Sequence, residues 1–192
     1  MMAFPKARKD YFTYAQYLNW EDGKRWEIID GLAYDMSPAP NRSHQQISMS
    51  LSVIIGNYLL GKQCQIFAAP FDVRFCEDEA SDEIINIVQP DISVICDPDK
   101  LDERGVKGAP DWIIEITSPS TIKHDFGTKL LIYQKFGVKE YWIVDPASKT
   151  VHVYRRDLVG LYFEKQTVGN QDKVISGIFP DLEIILKEIF QD

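Results

Sequence analysis

Apolar residues fall on one helical face between residues 43 and 60, where Ile47, Leu51, Ile54, Ile55, Tyr58 and Leu59 predict a long amphipathic helix. Upstream, Thr13 is placed to cap a short helix over Tyr14 to Trp20. Two apolar-rich runs, Arg25 to Asp30 and Leu32 to Met36, flank Asp30-Gly31, the strongest short hairpin signal, and Pro38 and Pro40 end the second run. Residues 64–69 and 71–76 predict two strands or one bent strand, followed by an exposed acidic tip at 77–83. Extended structure resumes at 84–88 and 91–96 around Pro90, and the polar stretch 97–110 predicts a loop or short helical turns.

The second half alternates. Residues 112–117 predict a buried strand, Ser118-Pro119-Ser120-Thr121 a breaker and helix cap, and residues 123–136 a helix that stops at Gly137. A strand over 140–145 and a turn at Asp145-Pro146 follow, then an outer pair at 150–156 and 162–168. Phe179-Pro180-Asp181 is expected to open a terminal helix containing Leu182, Ile185 and Leu186. Strand, helix and strand between 112 and 145 form a crossover unit. The pattern as a whole predicts a mixed α/β protein, a central sheet with a helix on each side. No internal period and no low-complexity segment interrupts it.

Composition bounds this picture. A chain of 192 residues suits one domain, and 45% hydrophobic with 26% charged residues is the balance of a folded protein. The formal charge of −8 argues against coating nucleic acid or an anionic membrane by bulk charge. Cys64, Cys76 and Cys96 are widely spaced and form no C-x-x-C pair, so a zinc ribbon is not expected. An odd count without a disulfide-like pattern suits a reducing cytoplasm, and no apolar segment approaches a signal peptide or a membrane span.

Two carboxylates stand out. Asp91 follows Pro90 at the start of a strand, and Glu115 sits inside Trp112-Ile113-Ile114-Glu115-Ile116. A carboxylate within so apolar a strand costs several kcal/mol if ionised and unpaired, so a cation or a hydrogen-bond network must offset it. Alternation puts Glu115 and Thr117 on one face and Ile114 and Ile116 on the other. Two carboxylates converging from neighbouring strands suit a hard divalent cation such as Mg²⁺. On the following helix, Lys129 falls among Phe126, Leu130, Tyr133 and Phe136, and a lysine facing inward either snorkels out or meets a carboxylate. Glu115 is its natural partner. A purely structural ion pair between Glu115 and Lys129, with Asp91 as a strand-end turn residue, accounts for the same residues.

The ordered set Trp26-Glu27-Ile28-Ile29-Asp30-Gly31, Met36-Ser37-Pro38 with His44, Gln89-Pro90-Asp91, Glu115-Ile116-Thr117-Ser118-Pro119-Ser120-Thr121, Asp125…Lys129…Tyr133 and Gly137 to Pro146 resembles the Uma2-type family (DUF820) within the PD-(D/E)xK nucleases. The likeness spans roughly residues 13–187. It implies a restriction-endonuclease-like fold over 1–192 and Mg²⁺-dependent endonuclease activity on nucleic acid, most naturally DNA, leaving a 5′-phosphate. Mn²⁺ is the expected substitute metal. One departure matters: the position two after the glutamate, a lysine in the parent signature, is Thr117 here. The resemblance implies that Lys129 on the next helix takes that role. It also implies Glu27 as a third acidic residue at the metal and His44 at the edge of the site, touching the scissile phosphate or a site carboxylate. Residue by residue, Glu27 also reads as a half-exposed strand glutamate and His44 as a core or cap residue. Gln89 reads as finishing a strand or binding phosphate. A homodimer is expected only by analogy with the superfamily.

Other chemistry finds little support. Ser118, Ser120 and His124 lack a G-x-S-x-G context, and no nucleotide-binding glycine motif is present. His152 reads as an exposed strand residue, and Arg155-Arg156 with Lys165 as a solvated basic edge. The competing class is a catalytically silent binding or regulatory module of the same fold. The charge itself is local: between Asp72 and Glu103 there are eleven acidic and two basic residues, and the rest of the chain is close to neutral. For nucleic-acid binding the acidic tip must point away from a bound strand or be its gate, and the near-neutral remainder predicts weak, metal-assisted binding rather than tight electrostatic capture.

Overall fold

The computed structural model describes residues 10–36, 40–76 and 83–191. Pro38 and most of the acidic tip lie outside the described residues.

A short helix α1 (Tyr14–Tyr17) is capped by Thr13 through a reciprocal capping box with Gln16. Strands β1 (Trp26–Ile29) and β2 (Leu32–Asp35) form the expected hairpin. Asp30 and Gly31 both take positive φ, 48° and 77°, as a two-residue hairpin turn requires. Helix α2 spans Arg42–Leu59, with Asn41 accepting from the His44 backbone N–H. Strands β3 (Gln65–Ala68), β4 (Val73–Phe75), β5 (Asn86–Val88) and β6 (Ile92–Ile95) follow. The 97–110 stretch holds a 3-10 turn and a small hairpin, β7 (Leu101–Asp102) and β8 (Gly105–Lys107).

Strand β9 (Trp112–Ile116) leads into a helix built in three parts: α3 (Ile122–His124), a π-helical turn at Asp125–Lys129, and α4 (Leu130–Phe136). Gly137 closes it in the left-handed region, as expected. The chain continues through β10 (Glu140–Asp145), β11 (Thr150–Arg156), β12 (Tyr162–Gly169), β13 (Lys173–Ile175), β14 (Glu183–Ile185) and α5 (Leu186–Ile189). The terminal helix expected from Leu182 starts late, because Glu183–Ile185 pairs with Lys173–Ile175 as a two-stranded sheet. That long-range pairing overrides the local helical spacing.

The main sheet runs β12-β11-β10-β9-β6-β3. Strand β9 sits inside it, parallel to β10 and antiparallel to β6. Helix α2 covers one face through Ile47, Leu51, Ile55 and Leu59, which pack with Ile92, Trp112, Ile114 and Trp142. Helix α4 covers the other through Ile132 and Tyr133, against Ile113, Tyr141 and Ile143. The expected sheet with a helix on each side is therefore present, but it is not the whole architecture. A second six-stranded sheet, β2-β1-β5-β4-β8-β7, packs on the α4 side through Val73, Phe75, Val88 and Val106. It brings β1 over the face on which Glu115 emerges.

Cysteine pairing also departs from expectation. Cys64 and Cys96 lie one step beyond the paired ends Gln65 and Ile95 of β3 and β6, and they form a disulfide. Only strand register brings these distant positions face to face. The step from unpaired cysteines to a reducing compartment thus loses its premise. Cys76 is free. Among the described residues, no helix is long and apolar enough to cross a membrane.

Candidate active site

The β6–β9 register places Ile92 opposite Ile114, which sets Asp91 beside Glu115 at the end of the pairing. The Asp91 N–H lies 3.4 Å from Glu115 Oε2, and Asp91 Oδ2 accepts the Ile116 N–H at 2.8 Å. Glu115 is buried, on the face turned toward the helix that follows. Lys129, also buried, donates to Glu115 Oε1 at 2.8 Å. It reaches Glu27 Oε1 at 2.9 Å as well. The departure at Thr117 is thus matched by a lysine that arrives at the same carboxylate from the helix.

Glu27 is only 3% exposed, which removes the half-exposed reading. Besides Lys129, its Oε1 accepts the Gln89 N–H at 3.0 Å. His44 Nε2 lies 3.0 Å from Asp91 Oδ2, so it meets a carboxylate, and its Nδ1 is buried without a hydrogen-bond partner.

Three further residues belong to the site and carried no role in the sequence reading. Tyr133 donates its hydroxyl to Glu115 Oε1 at 2.6 Å, sharing that oxygen with Lys129. Asp125 is 2% exposed, and its backbone N–H donates to the Thr121 carbonyl at 2.9 Å. His124 packs on the Tyr34 ring, with Nε2 buried, unbonded and 4.0 Å from Glu27 Oε2. The signal for two of them was spacing. Asp125, Lys129 and Tyr133 recur every four residues, a polar stripe facing the strand of a buried glutamate. The sequence reading centred the buried stripe on Phe126 instead. Phe126, Leu130 and Phe136 are only partly buried, whereas Asp125 and Lys129, at the two ends of the π turn, are buried.

The site holds four carboxylates: Glu27, Glu115 and Asp125 act on Lys129, and Asp91, beside Glu115, is met by His44. Burial pushes the Glu115 carboxyl up to about 8; Lys129 opposes this, while Asp91, Asp125 and Glu27 add to it. Burial likewise raises Asp125 to about 6 against the pull of Lys129 and Thr121. Burial alone would lower Lys129, but Glu115, Glu27 and Asp125 outweigh it and hold the ammonium charged well above the usual lysine range. The two partners of the 2.8 Å pair therefore shift in ways an isolated ion pair would not. Lys129 has more carboxylates than it can neutralise, and Glu115 carries the excess. For His44, burial is outweighed by the hydrogen bond and charge of Asp91, so its pKa rises. Burial and Lys129 lower that of His124.

Hard oxygen donors in excess of the local cations fit a divalent metal such as Mg²⁺. Among the described residues, no three His, Cys, Asp or Glu side chains converge closely enough to hold an ion by themselves. Asp91 and Glu115 are neighbours across the β6–β9 pairing. In this arrangement Glu27 is engaged by Lys129 and the Gln89 amide rather than by that pair.

A sheet carrying paired acidic side chains at a strand end, with a lysine delivered from the next helix, defines a restriction-endonuclease-like protein. The comparisons agree. The profile of the Uma2 family, described as "Putative restriction endonuclease", matches residues 14–187, and the chain belongs to this family. A protein of Synechocystis sp. (strain ATCC 27184 / PCC 6803 / Kazusa), described as "Uncharacterized protein slr1290", is 29% identical over 157 residues, covering 80% of this chain and 76% of that protein. The crystal structure of a "putative nuclease belonging to DUF820" from Anabaena variabilis superposes with a TM-score of 0.71 at 24% identity, over 93% of this chain and 97% of that one. That likeness carries the fold.

Proposed function

We propose that this protein is a divalent-metal-dependent endonuclease that hydrolyses phosphodiester bonds of nucleic acid, with DNA as the first substrate to test. The observation that carries this reading is the carboxylate excess: Glu27, Glu115 and Asp125 act on a single buried lysine, and Asp91 lies beside Glu115. A fold-stabilising pair needs one carboxylate per lysine; the further carboxylates leave negative charge that a bound cation would neutralise.

Asp91 and Glu115 would hold Mg²⁺ or Mn²⁺, which when bound supplies Lewis-acid polarisation of the phosphate and a more acidic water. Lys129 has three donor protons and spends two on Glu115 and Glu27. The third is available to orient the attacking water or to hydrogen-bond a phosphate oxygen as charge develops. Tyr133 and Lys129 together fix Glu115 Oε1 and leave Oε2 toward Asp91. His44 orients Asp91 through Oδ2. Glu27 holds Lys129 from the opposite side.

The test is incubation of purified protein with plasmid and single-stranded DNA in Mg²⁺ or Mn²⁺. Cleavage should be lost in Glu115→Ala while circular dichroism stays native. Equal cleavage by wild type and variant would mark the activity as contamination and refute the reading. The competing role, a silent module held together by the Glu115–Lys129 pair, predicts no thermal stabilisation by Mn²⁺, whereas a metal site gains stability by mass action.

A further inference from the structure

Beside the carboxylates lies a recess of about 440 Å³ that the proposed hydrolysis does not use. Its volume falls within the roughly 300–1,000 Å³ of small-molecule sites. One wall is aromatic: the Phe67 and Phe71 rings stack with centroids 4.3 Å apart and planes 10° from parallel. The rest of the lining is mostly polar and includes Asp72, Gln89 and the Asp102–Gly105 turn. The recess is joined to the site through the backbone. The Ala69 N–H donates to the Asp91 carbonyl at 3.0 Å, and the Gln89 N–H donates to Glu27 Oε1 at 3.0 Å.

The Gln89 side chain is held at both ends. Its Oε1 accepts from Arg25 Nε at 2.8 Å, and its Nε2 donates to Asp72 Oδ1 at 2.8 Å. A guanidinium only donates and a carboxylate only accepts, so these partners fix the orientation of the amide. Asp72 is itself braced by the Tyr14 hydroxyl, which donates to Oδ2 at 3.2 Å. Each group keeps spare capacity: one amide proton and further lone pairs on the oxygens. Asp72, Asp102 and Glu103 outnumber Arg104 in the lining, and although Asp102 is paired with Arg74 at 2.6 Å, this lining does not favour a phosphate. What fits is a flat, neutral ring with N–H groups and acceptors along its edge.

We propose that this recess binds one unpaired nucleobase of the substrate strand, stacked on the Phe71 side and met at its polar edge by Gln89 and Asp72. The inference rests on the nuclease reading of the adjoining site. A base paired within a duplex has its edge occupied and its faces stacked, so the recess selects single-stranded or extruded nucleotides. Aromatic stacking tolerates any base, whereas the clamped amide and carboxylate favour bases that carry an exocyclic amino group.

The test is fluorescence anisotropy of an end-labelled DNA oligomer with the full chain in EDTA, beside cleavage assays in Mn²⁺. Single strands should bind about tenfold more tightly than the same duplex or a strand with abasic sites. Phe71→Ala should lose about tenfold for ordinary strands and nothing for abasic ones, while Phe71→Trp retains binding. The tryptophan variant keeps the outcome readable should the alanine variant unfold. Equal affinity for ordinary and abasic strands overturns the inference, even where cleavage is robust. Base-dependent binding without any cleavage refutes the nuclease reading and leaves the base site standing.

Discussion

Replacing Glu115 by Gln separates a metal cluster from a structural ion pair, because the two predict opposite signs. Burial and three neighbouring carboxylates raise the Glu115 carboxyl from the ordinary 4.5 to about 8. A group whose pKa is raised on folding stabilises the fold below its unfolded pKa, and that contribution is lost as pH climbs through the folded value. The window is therefore about pH 4.5 to 8, and the shift corresponds to a ceiling of roughly 5 kcal/mol at 1.36 kcal/mol per unit. Glu115→Gln keeps the shape and cannot ionise. Lys129 is not orphaned by the change, since Glu27 remains 2.9 Å away. The variant should match wild type to within about 1 kcal/mol at low pH and exceed it by a few kcal/mol at about pH 9. Asp125 interacts with Glu115 and shifts with it, so the difference curve reports the coupled pair. Urea unfolding followed by tryptophan fluorescence at several pH values measures this. Mn²⁺ should narrow the gap by stabilising wild type more than the variant. The opposite order at high pH, with the variant weaker by about 3–5 kcal/mol, is the signature of a broken buried pair and would refute the charge-excess argument.

Lys129→Met leaves Glu27 and Glu115 buried without their cation, so it should cost about 3–5 kcal/mol at neutral pH and abolish cleavage; unchanged thermal unfolding would show that the lysine is not the counter-charge. Tyr133→Phe removes the 2.6 Å bond to Glu115 and should cost about 1–2 kcal/mol while slowing cleavage, measured by unfolding and by rates on the same preparation. Asp91→Asn should lower the pKa of His44, whose rise depends on Asp91, and an NMR titration of its ring proton reads this directly. A His44 titration that does not move would remove Asp91 as its partner in solution.

Much of the site was legible because burial and charge conflict in the sequence itself. An ionisable residue inside Trp112-Ile113-Ile114-Glu115-Ile116 demands a partner, and the inward position of Lys129 supplies one. The turn at Asp30-Gly31, the long second helix and the stop at Gly137 are likewise local, set by φ preferences and period. Tertiary structure decided what depends on register and distance. The pairing of β6 with β9 sets Asp91 against Glu115, and the second sheet carries Glu27 to the far side of Lys129. Strand pairing also joined Cys64 to Cys96 and drew residues 183–185 out of the expected helix. Asp125 shares the four-residue spacing of Lys129 and Tyr133, but only the packed fold decides that this stripe, rather than the one through Phe126, is the buried one. The sequence by itself determined that a buried carboxylate must be matched by a cation, because desolvation cost is a property of the residues around it. How many carboxylates share that cation, and hence whether charge is left over for a metal, is a matter of convergence across strands far apart in the chain, and only the tertiary structure could decide it.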